Sequence, residues 1–168
     1  PFFIYYPMTL PHGPLVHTPL DMNASTKLEK HKAMVEYIDF LTGKLVNHLD
    51  ENLLSERTII IFTSDNGGLS TLRRVSPTSV YPLRAGKGWL YEGGIKIPQL
   101  IKLPGNFEKE IVDDITVSYD LFPTILDFVG IRNENKIDGI SLMPRLLEKS
   151  IIDRENIYWH FPHYHGSL

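Results

Sequence analysis

The stretch of sequence that decides the fold is "TIIIFTSDNGG", Thr58 to Gly68. Its first six residues, 58–63, are β-branched or apolar, which predicts a strand with both faces covered by helices. The run then changes to a serine, a carboxylate, an amide and two glycines. Asp65 and Asn66 place oxygen atoms side by side, and such ligands suit Ca2+ or Mg2+ better than Zn2+. Taken alone, however, these residues favour an ordinary Asx turn at the end of a strand.

Outward from this strand, the sequence alternates predicted strands with predicted helices. Thr26 and Glu29 form a capping box that begins a long helix ending near residues 52–55. Further helices are predicted at 120–128, with Asp120 as the cap, and within 138–149. Short apolar runs predict four more strands, Phe2–Tyr6, Pro98–Leu103, Ile111–Ser118 and Ile157–Phe161. This order predicts the α/β class, with a mostly parallel sheet between helices.

The long helix carries apolar residues at three- and four-residue steps, which predicts one buried face. The residues predicted to form that face are Leu28, Val35, Ile38, Leu41, Leu45 and Leu49. Gly43 lies within the helix, where glycine lowers stability by about 1 kcal/mol relative to alanine. We therefore predict that Gly43 packs closely against a neighbouring element.

Composition excludes several classes of protein. The chain has 168 residues, a net charge of -3 and no cysteine, so it carries neither disulfides nor thiolate metal sites. The charge gives no reason to expect a nucleic-acid partner, and no apolar run reaches the ~20 residues of a membrane helix. Both termini break off abruptly within apolar or aromatic sequence, which favours a single partial domain, 1–168, cut from a longer protein, over a complete small domain with unusual termini.

A second candidate for chemistry is the glycine-rich run "PLRAGKGWLYEGGIKIP", Pro82–Pro98. Lys87 lies between two glycines, where its ammonium group is able to reach an anion, and glycine-rich backbone also binds phosphate or sulfate oxygens. The run is not a P-loop, because Gly88 stands where Ser or Thr is required. A solvated lysine in a turn explains it equally well.

Histidines supply the remaining candidates. His12, in "PHGPL", follows the first predicted strand, and imidazole exchanges a proton near neutral pH. His160 and His163 lie in "YWHFPHYHG", where aromatic rings are able to stack on a sugar. A loop histidine without function and an aromatic strand that packs on the core are the simpler alternatives.

Together these segments resemble the sulfatases of the alkaline phosphatase superfamily. The resemblance lies in "PFFIYYPMTLPHGPL", "TIIIFTSDNGG", the run around Lys87 and "DLFPTILDFVG", in family order. The most specific part is "GKGWLYEGGIKIP", which is close to the sulfatase signature "GGKGxxxEGGxRxP". The resemblance implies an alkaline phosphatase-like fold and a sulfuric ester hydrolase.

The resemblance also implies a role for each candidate residue. Asp65 and Asn66 would be two ligands of a Ca2+ that orients the sulfate ester, and Lys87 would bind a sulfate oxygen. His12 would protonate the leaving alcohol, and Glu92 would pair locally. For Arg84, a structural salt bridge is favoured over contact with substrate.

The chain departs from the family pattern at the nucleophile. Sulfatases use a formylglycine made from Cys or Ser in a C/S-x-P-x-R context, and "SVYPLR" from Ser79 has its proline one position too late. The early pair of metal-binding aspartates is missing as well. We therefore expect both to lie upstream, so that this chain alone is inactive, lacks a nucleophile and binds Ca2+ poorly.

Two other functions stay open at this point. One is a phosphatase or phosphodiesterase of the same superfamily, and the other is a non-catalytic glycan-binding pseudoenzyme. The expected partner is a small-molecule or oligosaccharide sulfate ester, and the aromatic segment at 158–166 is expected to line the substrate side of the site. The resemblance implies a secreted, periplasmic or lysosomal setting.

Overall fold

The computed structural model describes residues 1–71, 76–105 and 108–162. They fall into two compact units, the first within Pro1–Phe107 and Phe161–Leu168 and the second Glu108–His160. Among these described residues, no helix combines the length and the apolarity that crossing a membrane demands.

Helix α1, Lys27–Glu51, begins where the sequence predicts. The Thr26 hydroxyl accepts the N–H of Glu29 at 3.2 Å, and the Glu29 carboxylate accepts the N–H of Thr26 at 2.8 Å. Hydrogen bonds from the backbone N–H groups of Thr26 and Ser25 lower the pKa of Glu29 to about 2. The predicted capping box is therefore confirmed, and it fixes the start of the helix.

The buried face of α1 differs from the predicted one. The fully buried residues are Ala33, Met34 and Leu49, whereas Leu28 is 64% and Val35 is 45% exposed. Leu45 is exposed as well, and Ile38 and Leu41 are half-buried. The prediction was thus wrong for Leu28, Val35 and Leu45, because several helix faces carry apolar residues and spacing alone does not identify the one that meets a partner.

The prediction for Gly43 was also wrong for the described part of the chain. A methyl group built at this position meets nothing within 4 Å. No close contact therefore requires a glycine at this position. Its remaining effect is to lower the stability of the helix, because glycine loses more backbone freedom on folding than other residues.

Two short strands pair in the first unit. Strand β1, Ile60–Thr63, runs antiparallel to β2, Gln99–Lys102, with Ile60 opposite Lys102 and Thr63 opposite Gln99. The central predicted strand and Pro98–Leu103 are thereby confirmed. No residue of β1 is fully buried, so the two covering helix layers expected for it are not seen among the described residues.

The other three predicted strands are not strands in the structure. Within the described part of the chain, Phe2–Tyr6, Ile111–Ser118 and Ile157–Phe161 do not adopt strand structure, and Phe3 and Tyr5 are 73% and 80% exposed. The described sheet has only the antiparallel pair β1–β2 rather than parallel strands. Apolar composition favours a strand, but a strand also needs a partner that takes up its backbone N–H and C=O groups.

Between the two strands lies a short helix, α2, Glu92–Ile95. The second unit contains α3, Leu121–Phe128, and α4, Met143–Glu148, close to their predicted positions. The predicted cap of α3 was wrong in one respect, since the Asp120 side chain makes no capping bond to that helix.

The Asp120 side chain instead joins three segments of the second unit. It is fully buried and accepts hydrogen bonds from the N–H groups of Val117 and Ile140, both at 2.9 Å. The guanidinium of Arg154 donates to both of its carboxylate oxygens, at 2.8 and 2.5 Å. Asp120 is therefore the polar centre of this unit.

Candidate active site

The end of β1 presents Asp65 and Asn66 to the surface. The Ser64 hydroxyl donates to the backbone oxygen of Asn66 at 3.1 Å, and the Asn66 side-chain amide donates to the backbone oxygen of Gly67 at 3.0 Å. An Asx turn at Asp65 would use the Gly67 N–H, but that group donates instead to the backbone oxygen of Gly94 at 2.9 Å. The structure therefore does not contain the Asx turn that the local sequence favours.

This arrangement leaves oxygen atoms available at the end of the strand. Among the described residues, the Asp65 carboxylate accepts no backbone N–H, and its one polar neighbour is the Ser64 hydroxyl at 3.5 Å. The Asn66 side-chain oxygen is likewise unused, because only the amide nitrogen is engaged. Both oxygens remain free to bind a hard cation.

The glycine-rich loop 83–94 is held directly against this strand end. Besides the bond between Gly67 and Gly94, the N–H of Lys87 donates to the backbone oxygen of Gly68 at 2.9 Å. These backbone hydrogen bonds join residues that lie 27 and 19 positions apart in sequence. The Asp-Asn pair and the lysine, which the sequence could relate only by family order, belong to one local structure.

Glycines make this contact possible because the two backbones approach too closely for a side chain. A methyl group on Gly67 would overlap the carbonyl oxygen of Gly93, and one on Gly94 would overlap the carbonyl oxygens of Trp89 and Gly86. Since each obstacle is backbone, no side-chain rotation would relieve the overlap. Gly67 is therefore required by the packing of the strand end on the loop, and Gly94 by the packing of the loop on itself.

We expect Gly94→Ala to lower the stability of the protein by about 1–3 kcal/mol, because the added methyl group would overlap the carbonyl oxygens of Trp89 and Gly86 and distort the loop. The matched control is Gly43→Ala, where the methyl group meets nothing and stability is expected to rise by about 1 kcal/mol. Urea denaturation of the full-length protein measures both. A neutral effect of Gly94→Ala would mean that the loop does not pack as described.

Ala85 stands where the sulfatase signature has its first glycine. Its φ of +62° is left-handed, a conformation that costs a non-glycine residue free energy. The Ser70 hydroxyl donates to the backbone oxygen of Ala85 at 2.6 Å and stabilises the turn before Lys87.

Three side chains of the loop carry predictions, and the structure differs from those made for Glu92 and Arg84. The Lys87 side chain is half-buried, and its ammonium group has no hydrogen bond or ion pair with a described residue. Glu92 is exposed and begins α2, and the predicted local pairing of its carboxylate is not seen among the described residues. The salt bridge favoured for Arg84 is also absent there, since its guanidinium instead lies 3.8 Å above the Tyr91 ring.

His12 lies on an exposed turn in the first unit. Its backbone N–H donates to the Thr9 oxygen at 3.1 Å, and its Nδ1 lies 2.8 Å from the backbone oxygen of Gly13. A carbonyl oxygen only accepts hydrogen bonds, so Nδ1 carries the proton of the neutral ring. Nε2 is then the nitrogen that gains or loses a second proton.

Two further histidines were predicted to bind substrate. His160 is exposed and belongs to the second unit, while His163 lies outside the described residues. Across the described ranges, no group of three or more His, Cys, Asp or Glu side chains is arranged to hold a metal ion. Asp65 and Asn66 are thus two candidate ligands without further ones identified beside them.

Comparison with known proteins defines the class. The chain is similar to the solved structure of Ps i-CgsB in complex with k-i-k-neocarrahexaose, with a TM-score of 0.69 and 30% identity over 84% of this chain and 32% of that one. It is also similar to the phosphonate monoester hydrolase SpPMH from Silicibacter pomeroyi, with a TM-score of 0.62 and 29% identity over 77% of this chain and 24% of that one. The chain therefore has the α/β fold of the alkaline phosphatase superfamily, as predicted.

Sequence comparison narrows this class to one family. The Sulfatase family model matches residues 1–131, and the chain belongs to that family. It is 31% identical to a sulfatase of Formosa agariphila over 98% of this chain and 33% of the relative. It is 32% identical to human arylsulfatase A over 98% of this chain and 32% of the relative. It is 30% identical to rat N-acetylgalactosamine-6-sulfatase over 95% of this chain and 31% of the relative. The chain thus spans about a third of the length of these curated relatives.

Proposed function

We propose that the full-length protein containing this chain is a sulfuric ester hydrolase that cleaves a sulfate monoester of a carbohydrate. The observation that carries the proposal is the contact between the strand end and the loop, through the Gly67–Gly94 and Gly68–Lys87 hydrogen bonds. This contact joins the segment that carries two hard oxygen ligands to the loop that carries an ammonium group with no described partner, within a chain of the Sulfatase family.

Lys87 and His12 would act on opposite parts of the ester. Breaking the sulfur–oxygen bond leaves negative charge on the sulfate oxygens and on the departing alcohol oxygen. The Lys87 ammonium, free of any described partner, would stabilise charge on a sulfate oxygen. In its imidazolium form, His12 would donate the Nε2 proton to the alcohol oxygen and become neutral, while Nδ1–H holds the ring through Gly13.

The donor set at Asp65 and Asn66 fits part of a Ca2+ site, because a carboxylate and an amide oxygen are both hard ligands left unused by the described backbone. When bound, Ca2+ would supply positive charge to the sulfate oxygens. Ca2+ takes about six to eight oxygens, so we propose that further ligands, and a formylglycine nucleophile, come from outside these 168 residues. The chain alone is then expected to be inactive.

The carbohydrate part of the proposal rests on two relatives and on aromatic sequence. One relative is an N-acetylgalactosamine-6-sulfatase, and one similar structure holds k-i-k-neocarrahexaose. We propose His160 and His163, in the aromatic segment, as substrate-binding residues. A secreted, periplasmic or lysosomal setting is proposed with them, from family resemblance.

A panel of substrates tests the proposed function. The full-length protein, with Ca2+, is expected to hydrolyse an aryl sulfate and a sulfated galactose oligosaccharide, and to lose activity when a chelator removes the metal. The isolated 168-residue chain, as the matched control, is expected to hydrolyse neither. Turnover by the isolated chain would contradict the assignment of the nucleophile to the rest of the protein.

A second candidate is hydrolysis of phosphate or phosphonate esters. The observation in its favour is the similarity to the phosphonate monoester hydrolase of Silicibacter pomeroyi. Aryl phosphate and phosphonate monoesters therefore belong in the same panel, and a higher kcat/KM for either than for every sulfate would replace the sulfatase proposal by this one.

A further inference from the structure

The loop around Lys87 holds a second cation, Arg84, whose backbone is fixed. The backbone oxygen of Arg84 accepts the N–H of Gly93 at 2.9 Å. A methyl group on Gly93 would overlap this same oxygen, so the two segments pack in direct contact. The Cα of Arg84 therefore has a defined place in the loop that also positions Lys87.

Aromatic rings orient the Arg84 side chain. Its guanidinium carbon lies 3.8 Å from the centroid of the Tyr91 ring. The Tyr91 ring in turn stacks on Trp89, with centroids 6.5 Å apart and planes inclined by 22°. Stacking engages the flat face of a guanidinium and leaves the N–H donors along its edge available.

The other arginines with described contacts show how a structural arginine is held in this chain. Arg154 donates to Asp120, and Arg145 donates to Glu110 at 2.7 Å and to Asp114 at 2.8 Å. Arg84, in contrast, is exposed and has no carboxylate partner within the described ranges. A planar cation that is held in place while its donors stay free is suited to binding an oxyanion from outside the chain.

We propose that Arg84 is a specificity-determining residue that binds a second anionic group of the substrate, a sulfate or a carboxylate, beside the ester held at Lys87. This inference rests on the proposed function and narrows its substrate class to saccharides that carry at least two anionic groups. The stack on Tyr91 restricts the guanidinium before substrate arrives, which lowers the entropic cost of ordering it. Its edge then offers two parallel hydrogen bonds to one oxyanion.

The test compares substrates that differ only in the second anion. The full-length protein is assayed on a monosulfated disaccharide, the corresponding disulfated disaccharide and a monosulfated disaccharide with one uronate. Arg84→Ala is expected to lower the ratio of kcat/KM for a doubly charged substrate to that for the singly charged one by about 10- to 100-fold. The substrate whose ratio falls, disulfated or uronate-containing, identifies the anion.

Three further variants separate this role from simpler ones. Arg84→Lys keeps the charge but not the planar donor edge, and an intermediate ratio is expected. Tyr91→Phe keeps the aromatic ring under Arg84, so the ratio is expected to be unchanged. Lys102→Ala, which removes an exposed cation from β2, is expected to leave the ratio unchanged. An equal fall for every substrate in Arg84→Ala, an unchanged ratio, or the same fall in Lys102→Ala would overturn the inference.

Binding measurements distinguish failure of this inference from failure of the proposed function. Calorimetric titration of the same disaccharides is expected to show a weaker affinity of Arg84→Ala for the doubly charged ones by about 10-fold. If the wild-type protein hydrolyses no sulfate but this difference in affinity is found, the hydrolase proposal is wrong and the anion site stands. If no difference is found, the anion site is wrong.

Discussion

Lys87→Ala in the full-length protein is expected to lower kcat/KM for an aryl sulfate by about 100- to 1,000-fold. The ammonium group of Lys87 has no described partner, so its charge is available to stabilise the transition state. The backbone bond from Lys87 to Gly68 does not involve the side chain and is kept by alanine. The measurement is steady-state kinetics together with the midpoint of thermal unfolding.

Two comparisons make this result specific to Lys87. The free energy of unfolding is expected to change by no more than about 0.5 kcal/mol, because the side chain makes no hydrogen bond or ion pair with a described residue. The control is Lys102→Ala, which removes one exposed positive charge from the same unit and is expected to leave kcat/KM unchanged. A loss below threefold for Lys87→Ala would show that another group binds the sulfate oxygens.

The sequence predicts well those features that depend on neighbouring residues. The Thr26–Glu29 capping box, the strand before Asp65 and helix α4 are all local, and the structure has each of them. The glycines of "DNGG" and "EGG" are visible in the sequence, but the close approach of Gly67 to Gly93 was not predicted from them.

Features that depend on distant partners were predicted less well. Phe2–Tyr6 has the composition of a strand, but pairing is decided by residues far away in sequence, and no described segment pairs with it. Arg84 and Tyr91 form their stack within an irregular loop, where no helical or strand period indicates that two side chains meet. Composition favours a salt bridge for Arg84, whereas the structure has its guanidinium stacked on Tyr91.

Asp120 belongs to the same group of features. The sequence predicts it as a helix cap, which is what an aspartate before an apolar helix most often does. Its partners Ile140 and Arg154 lie 20 and 34 residues away, so the local pattern contains no signal for them. Asp120 nevertheless contributes strongly to stability, since a buried charge that loses its partner strongly destabilises a fold.

Asp120→Asn is expected to destabilise the second unit by about 3–5 kcal/mol. Asparagine cannot accept through its amide nitrogen, so at least one bond from Val117 or Ile140 is lost, and the Arg154 guanidinium is left without a countercharge. The measurement is hydrogen exchange at the Val117 and Ile140 amides in the full-length protein, where protection is expected to fall. The control is Asp138→Asn, an exposed position for which a change within about 0.5 kcal/mol is expected.

The pH dependence of stability gives an independent measure of the same carboxylate. Burial alone would raise the pKa of Asp120, but hydrogen bonds from Arg154, Ile140 and Val117 outweigh it and hold the pKa below its usual 3.8. A carboxyl whose pKa is lowered on folding stabilises the protein above its unfolded pKa, and this contribution is lost as the pH falls through the folded one. Wild-type stability is therefore expected to decline below about pH 4.

In Asp120→Asn this decline is expected to be shallower, because the group that takes up the proton is gone. Glu29, whose pKa is lowered to about 2, remains, as do Glu110 and Asp114, whose pKa values are lowered by hydrogen bonds from Arg145, and these groups account for the residual slope. Denaturation at a series of pH values from about 2 to 7 measures both slopes. Identical slopes in the two proteins would mean that the Asp120 carboxyl keeps the same pKa in the folded and unfolded chain, and that its four hydrogen bonds do not favour the ionised form.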